Sequence, residues 1–182
     1  MAATTLTMPA AHASAPPLIS PPRPAIAHPA VLALDLGTTT GWAIRLESQR
    51  IVSGTMTFKP SRFEGGGMRF LRFHGWLGKM KQSVAGLERI VFEEVRSHAG
   101  TDAAHIFGGW LAILSAWSEQ HGVPYQGVPV GTIKRYATGK GNANKAAMIA
   151  AIEARGFRPA DDNEADAIAL LLWATDPTGG RA

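Results

Sequence analysis

Asp35 stands between Leu34 and Leu36 in the run LALDLGTTTGWA, the pattern of a short buried strand that ends in a turn. An acid there is costly to bury unless it is paired or binds a cation. Two local roles compete with a catalytic one: Asp35 as the cap of the turn, or as acceptor for the backbone of residues 37–40. Glu93 and Glu94 repeat the pattern in RIVFEEVRS, where Val91, Phe92 and Val95 are apolar. Neighbouring strand residues face opposite sides of a sheet, so one of this pair can share a face with Asp35 and the other is left to solvent. The third group lies in DDNEADAIALLLWA. Asp162 and Asn163 precede Asp166 by four and three residues, and on a helix those spacings put side chains on one face. Asp162 or Asn163 reads most simply as the N-cap. Asp166, inside an apolar helix, points at the core and has no such local role. Carboxylates on two core strands and one buried helix suit divalent cations, which take hard oxygen ligands. A set of this kind holds two Mg²⁺ ions about 3.5–4 Å apart in sites of phosphoryl transfer.

Cations accompany the acids. In TIKRYATGKGNANKAAM, Gly139, Lys140 and Gly141 precede a helix capped by an Asn, and Lys134 and Lys145 bracket the loop. Backbone N–H groups and the positive end of a helix dipole favour phosphate at such a place, and a solvated hairpin is the plainer alternative. The chain carries 18 Lys+Arg against 14 Asp+Glu, net +4. A basic protein that gathers carboxylates points to an anionic ligand reached through a metal ion, because the carboxylates alone would repel it.

These residues need a scaffold. Of 182 residues, the first 29 hold seven of the twelve prolines and one charged side chain, Arg23, so they read as a disordered tail. Residues 30–176 make one domain, large enough to bury a core without a staple, and residues 177–182 make a flexible end. Cysteine is absent, which excludes disulfides, thiolate metal sites and a cysteine nucleophile and fits a reducing compartment. The longest apolar run, residues 165–174, is interrupted by Asp166 and falls short of the roughly 20 residues of a membrane span, so the chain reads as soluble. Strands are expected at residues 31–36, 41–45 and 51–58 as an antiparallel meander, then at 89–95 and 123–130. Helices are expected within residues 62–84 after the glycine triplet 65–67, and at 101–120, 144–155 and 164–173. Lys59, at the end of the third strand, is expected to lie away from the acids. The layout is α/β with a mixed five-stranded sheet, three antiparallel strands and then parallel ones, flanked by helices.

In this order the motifs resemble the RuvC family of Holliday-junction resolvases, within the RNase H-like fold, over most of residues 31–175. The strand with Asp35 and the following Gly37, the strand ending in Glu93 and the Ala165-Asp166-Ala167 helix start are similar to the segments that hold that family's catalytic acids. Lys134 and Lys145, eleven apart with a Gly-x-Gly between them, are similar to its two active-site lysines. The resemblance implies Asp35, Glu93, Asp166 and Lys145 as catalytic residues, and Glu93 rather than Glu94 as the ligand. It implies Mg²⁺ or Mn²⁺, two per site, held by Asp35, Glu93 and Asp166 with Asn163 or Asp162. Lys134, Lys140 and Lys145, with Arg69, Arg72 and Arg96, would contact DNA. The implied activity is metal-dependent, structure-selective cutting of four-way or branched DNA by paired phosphodiester hydrolysis, in a homodimer of the bacterial cytoplasm or a phage-encoded relative.

Two departures stand out. Asn163 occupies a place that is often Asp or His in the family, and Arg96 a place that in bacterial members can be an aromatic. Segment 103–116, with Phe107, Trp110, Leu111 and Leu114, reads equally as a dimer face or as core. Two alternatives remain at the level of sequence. One is a non-cleaving nucleic-acid-binding module of the same fold, which Asn163 favours. The other is an actin-like ATPase, because Asp35-Leu36-Gly37-Thr38-Thr39 resembles that group's first phosphate turn, although it needs two such domains.

Overall fold

The structure is a computed structural model that describes residues 29–84, 86–96 and 100–177. The expected disordered tail, up to residue 28, and residues 178–182 lie outside the described residues. Strands β1 (Ala30–Asp35), β2 (Thr39–Arg45) and β3 (Ile51–Thr57) form the antiparallel meander, and β4 (Leu87–Glu94) and β5 (Tyr125–Pro129) continue the sheet in parallel with β1. The order is β3-β2-β1-β4-β5, so β3 and β5 are the edges. Helices α1 (Met68–Ser83), α2 (Thr101–His121), α3 (Val130–Thr138), α4 (Lys145–Glu153) and α5 (Asp162–Thr175) complete the fold.

The side-chain alternation of the strands divides the core in two. Leu32, Leu34, Ile44, Ile90 and Phe92 pack with Phe73 and Leu77 of α1 and Trp110 and Leu114 of α2. Val31, Ala33, Ala43, Val91 and Val128 face the other way and pack with α5, joined by Ile133 of α3 and Met148 and Ile152 of α4. Arg45 and Arg89 donate to the carbonyls of Thr175 and Ala174, which covers the last turn of α5.

Four expectations change. α1 starts at Met68, six residues after Arg62, and Phe63 is left in solvent. The fifth strand is shorter than residues 123–130, because Pro124 has no N–H for the ladder and offers only its carbonyl, to Ile90 N at 2.8 Å. Immediately after Pro129 the chain turns into α3, a helix the sequence reading lacks. Its buried residues, Ile133 and Ala137, are one turn apart, and Gly139 ends it at φ 79° with its N–H on Arg135 O. Finally, Trp110 and Leu114 are fully buried or nearly so, with Phe107 and Leu111 packed against the same cluster, so the apolar side of segment 103–116 is core.

Candidate active site

The parallel register pairs Ala33 with Val91 and Leu34 with Phe92. One residue further, Asp35 and Glu93 come level at the C-terminal ends of β1 and β4, on the side of Ala33 and Val91 and hence of α5. Glu94 takes the opposite side, with Phe92, and pairs with Arg96 at 2.9 Å. The sequence alone left the choice between the two glutamates to the resemblance; the register puts Glu93, and not Glu94, on the side of Asp35.

α5 brings the third acid. Its start is pressed on β2 so closely that a Cβ on Gly41 would lie 1.9 Å from the carbonyl oxygen of Asn163, which makes glycine obligatory there. Glu164 anchors the same turn: it is buried, accepts from Ser53 Oγ at 2.7 Å, and accepts from the N–H of Ala160 at 2.8 Å. The N-cap is neither Asp162 nor Asn163 but Asp161, whose carboxylate accepts from Glu164 N at 2.9 Å. The Asp-x-x-Glu spacing of 161 and 164 is the capping signal that would have located it. Asp166 then falls one turn into α5, over the strand ends. Ser53, Gly41 and Glu164 are positioning residues that sequence reasoning missed.

Asp35 does not cap its own turn. Thr40 does, donating to Gly37 O at 2.7 Å, and among the described residues no hydrogen bond reaches the Asp35 carboxylate. Burial, and then repulsion from Glu93, Asp166 and Asp162, pushes its pKa well above the usual carboxylate value, against the pull of Lys145. Burial and Asp166 push Glu93 up to about 7 while Lys134 pulls it down. Burial raises Asp166 to about 6, opposed by Lys134 and Lys145. One oxygen of Asp166, Oδ1, is buried with no hydrogen-bond partner.

This is the donor chemistry that a divalent cation satisfies: oxygen ligands, mutually repelling, one of them orphaned. Among the described residues no three acids or histidines stand close enough together to hold a metal ion as they are placed. The residues that fit are Asp35, Glu93 and Asp166. Asp162 is engaged elsewhere, in an ion pair with Lys145 that holds its carboxyl below the usual value and raises the ammonium.

The cations divide by what already holds them. Lys134, on α3, faces Glu93 and Asp166 electrostatically, and Lys145 opens α4 beside Asp162, Asp166 and Asp35. Lys140 is exposed. The glycine loop is less open to phosphate than its sequence suggests. The N–H of Gly139 goes to Arg135 O, that of Lys140 to Thr138 Oγ1 at 3.2 Å, and a Cβ on Gly141 would come within 3.2 Å of Gly131 O. Arg72 is clamped by both oxygens of Glu64, Arg96 by Glu94, and Arg69 Nε donates to Gly66 O. Lys59 is not remote: Phe58 N bonds Thr38 O at 2.8 Å, which puts the end of β3 at the same sheet end as Asp35.

No protein-family model matches the chain, and no curated protein sequence does. Solved structures do. RuvC of Thermus thermophilus in complex with a Holliday-junction substrate superposes with a TM-score of 0.67 at 22% identity, over 80% of this chain and 92% of that one. A second Thermus thermophilus RuvC structure gives 0.62 at 22% identity, over 79% and 91%. The yeast mitochondrial Holliday-junction resolvase Ydc2 gives 0.54 at 12%, over 77% and 75%. With a mixed sheet ordered β3-β2-β1-β4-β5 and helices on both faces, the chain has the fold of these solved structures.

Proposed function

We propose that the protein is a metal-dependent, structure-selective endonuclease that cuts four-way or otherwise branched DNA. The observation that carries the reading is the convergence of Asp35, Glu93 and Asp166 from three separate elements, all with pKa raised by burial and none neutralised by a direct ion pair. Such a cluster is relieved either by protons or by a bound cation, and with Lys134 and Lys145 beside it the cation is the reading that also accounts for an anionic ligand. Mg²⁺ or Mn²⁺, two per site, would be held by these three with Asn163, or Asp162 once Lys145 leaves it, and when bound supplies an activated water and stabilises the leaving oxygen.

The chain's own part is to hold the metal ligands and the phosphate. Lys145 and Lys134 stand beside the acids, where they neutralise the scissile phosphate and its neighbour, and Lys140 reaches the strand beyond. Hydrolysis adds water across the P–O3′ bond, leaving a 5′-phosphate and a 3′-hydroxyl that takes the proton. Arg69, Arg72 and Arg96 add backbone contacts without sequence information, Arg72 and Arg96 by exchanging their glutamates for phosphate. The junction substrate in the Thermus thermophilus complex supports branched DNA as the ligand. Symmetrical resolution needs two cuts, hence two sites in a homodimer.

Incubation with labelled four-way, forked and linear DNA in Mg²⁺ tests the reading: nicks confined to branched substrates support it, and equal cutting of linear duplex would remove the structure selectivity. Asn163 and the unclosed acid cluster favour a second reading, a module that binds branched DNA and does not cut it. Binding without cleavage in either Mg²⁺ or Mn²⁺ would establish that one.

A further inference from the structure

The connection from β3 to α1, residues 59–67, presents Phe63 at 92% exposure. Single exposed apolar residues are ordinary, but this one is held out on a braced support. Glu64 accepts from Ser61 N at 2.7 Å and takes both its oxygens to Arg72, whose other nitrogen donates to Lys59 O at 2.9 Å. The loop's acid is thereby neutralised by Arg72, and the exposed cations are Lys59 and Arg62, with Arg69 half-buried and its Nε on Gly66 O. Arg62 lies 5.8 Å over the Phe63 ring, leaving the ring's other face bare. Beside it run Gly65, Gly66 and Gly67, all exposed. None has a positive φ, and a Cβ on any of them would meet nothing within 4 Å. No contact within the chain requires glycine there, and what a bare triplet provides is close approach by an external backbone.

The place matters as much as the chemistry. β1 and β3 run in the same direction, and Thr57 pairs with Thr39, so the loop leaves the sheet at the end where Asp35 lies. The strand it leaves, β3, lies two strands from β1, roughly 10 Å between strand axes. We propose that Phe63 is a stacking platform for an unpaired nucleobase of the DNA strand whose phosphate sits at the acids, with Arg62, Lys59 and Arg69 on the adjoining phosphates. A flat apolar ring among cations is the combination that binds unstacked bases without reading their sequence. The proposal rests on the nuclease reading and adds to it where the branch point is held.

The test uses the full chain with Asp35→Asn, which prevents cutting during titration, and three labelled DNAs: a four-way junction, a single strand and a linear duplex. Phe63→Ala should weaken junction and single-strand binding about tenfold and leave duplex binding unchanged, and Phe63→Trp should restore the loss. The slope of log affinity against log salt should stay the same in Phe63→Ala and fall by about one in Arg62→Ala. Phe63 touches no core residue, so melting temperatures should not move. Undiminished junction binding by Phe63→Ala overturns the platform, as does an equal loss on junction and duplex. So does a loss of self-association by sedimentation with DNA binding intact, which would assign the ring to a second copy of the chain. If the otherwise unsubstituted protein nicks junctions while Phe63→Ala binds them normally, the platform alone fails. If it neither binds nor nicks branched DNA, the nuclease reading fails with it.

Discussion

Gly41 of β2 and Asn163 of α5 occupy one another's space: the backbone of Asn163 lies where a side chain on Gly41 would begin, with 1.9 Å from Asn163 O to an added Cβ. The catalytic geometry proposed above depends on that contact, because it sets how far the start of α5, and with it Asp166, lies from the ends of β1 and β4. Gly41→Ala should therefore lift the helix, lower stability by about 1–3 kcal/mol or more and remove cleavage. Gly65→Ala, with open space around it, should leave the melting temperature unchanged. Equal melting of the two variants in thermal denaturation would show that the helix yields freely.

Asp35→Asn removes a proposed metal ligand and one source of repulsion. Nicking of a labelled four-way junction should fall below detection while junction affinity, by fluorescence anisotropy, holds or rises. A variant that still nicks at the unsubstituted rate would mean that the acids have been assigned wrongly.

The acids make stability depend on pH in the direction opposite to that of an ion-paired carboxylate. Asp35, Glu93 and Asp166 all have raised pKa values, so between about 4 and 7 these three groups bind more protons in the folded chain than in the unfolded one, while the lowered Glu64 and Asp162 act the other way at the acid end. In EDTA the melting temperature attributable to these groups should fall as pH rises across that window, and Mg²⁺ should restore it above pH 7. Glu93→Gln should flatten the decline. A metal-free melting curve whose midpoint rises steadily from pH 4 to 7, with Glu93→Gln parallel to it, would contradict the raised values.

Lys145→Ala should lower both the nicking rate and the salt slope of junction binding, the latter by about one. The suitable control is Arg50→Ala, exposed in the β2–β3 turn at the opposite end of the sheet, because Lys59 shares the acids' end. Equal changes in slope would make the cations a diffuse field.

Asn163→Asp should keep nicking or increase it, since it places a charged ligand three residues before Asp166. Complete loss of nicking would give the amide a role of its own.

The three acids were legible as candidates because each interrupts an apolar run, at the end of a strand or inside a helix. Glu93 against Glu94 was not decidable from one strand, since it is a property of the β1–β4 register. α3 escaped because its first residues, Val130-Gly131-Thr132, continue the strand's composition, and its helical period shows only in Ile133 and Ala137. Its ends carried the missing signal, Pro129 before the first turn and Gly139 after the last. The same oversight made the glycine loop look open: once Gly139 is the end of a helix, its N–H is already used. The ion pair of Lys145 with Asp162 joins two elements across a loop, and no spacing along the chain announces it.

The unlike edges of the sheet bear on how two copies can cooperate. β5 is five residues long and bounded by Pro124 and Pro129, which blunts it as a template, whereas β3 offers seven residues with every N–H present. Zipping two chains together through β3 about a twofold axis would reverse strand direction across the seam. The two acid clusters would then point out of opposite ends of a ten-stranded slab, too divergent to address one branch point. If the proposed paired incision is made by two copies, their contact therefore has to be one other than β3 to β3.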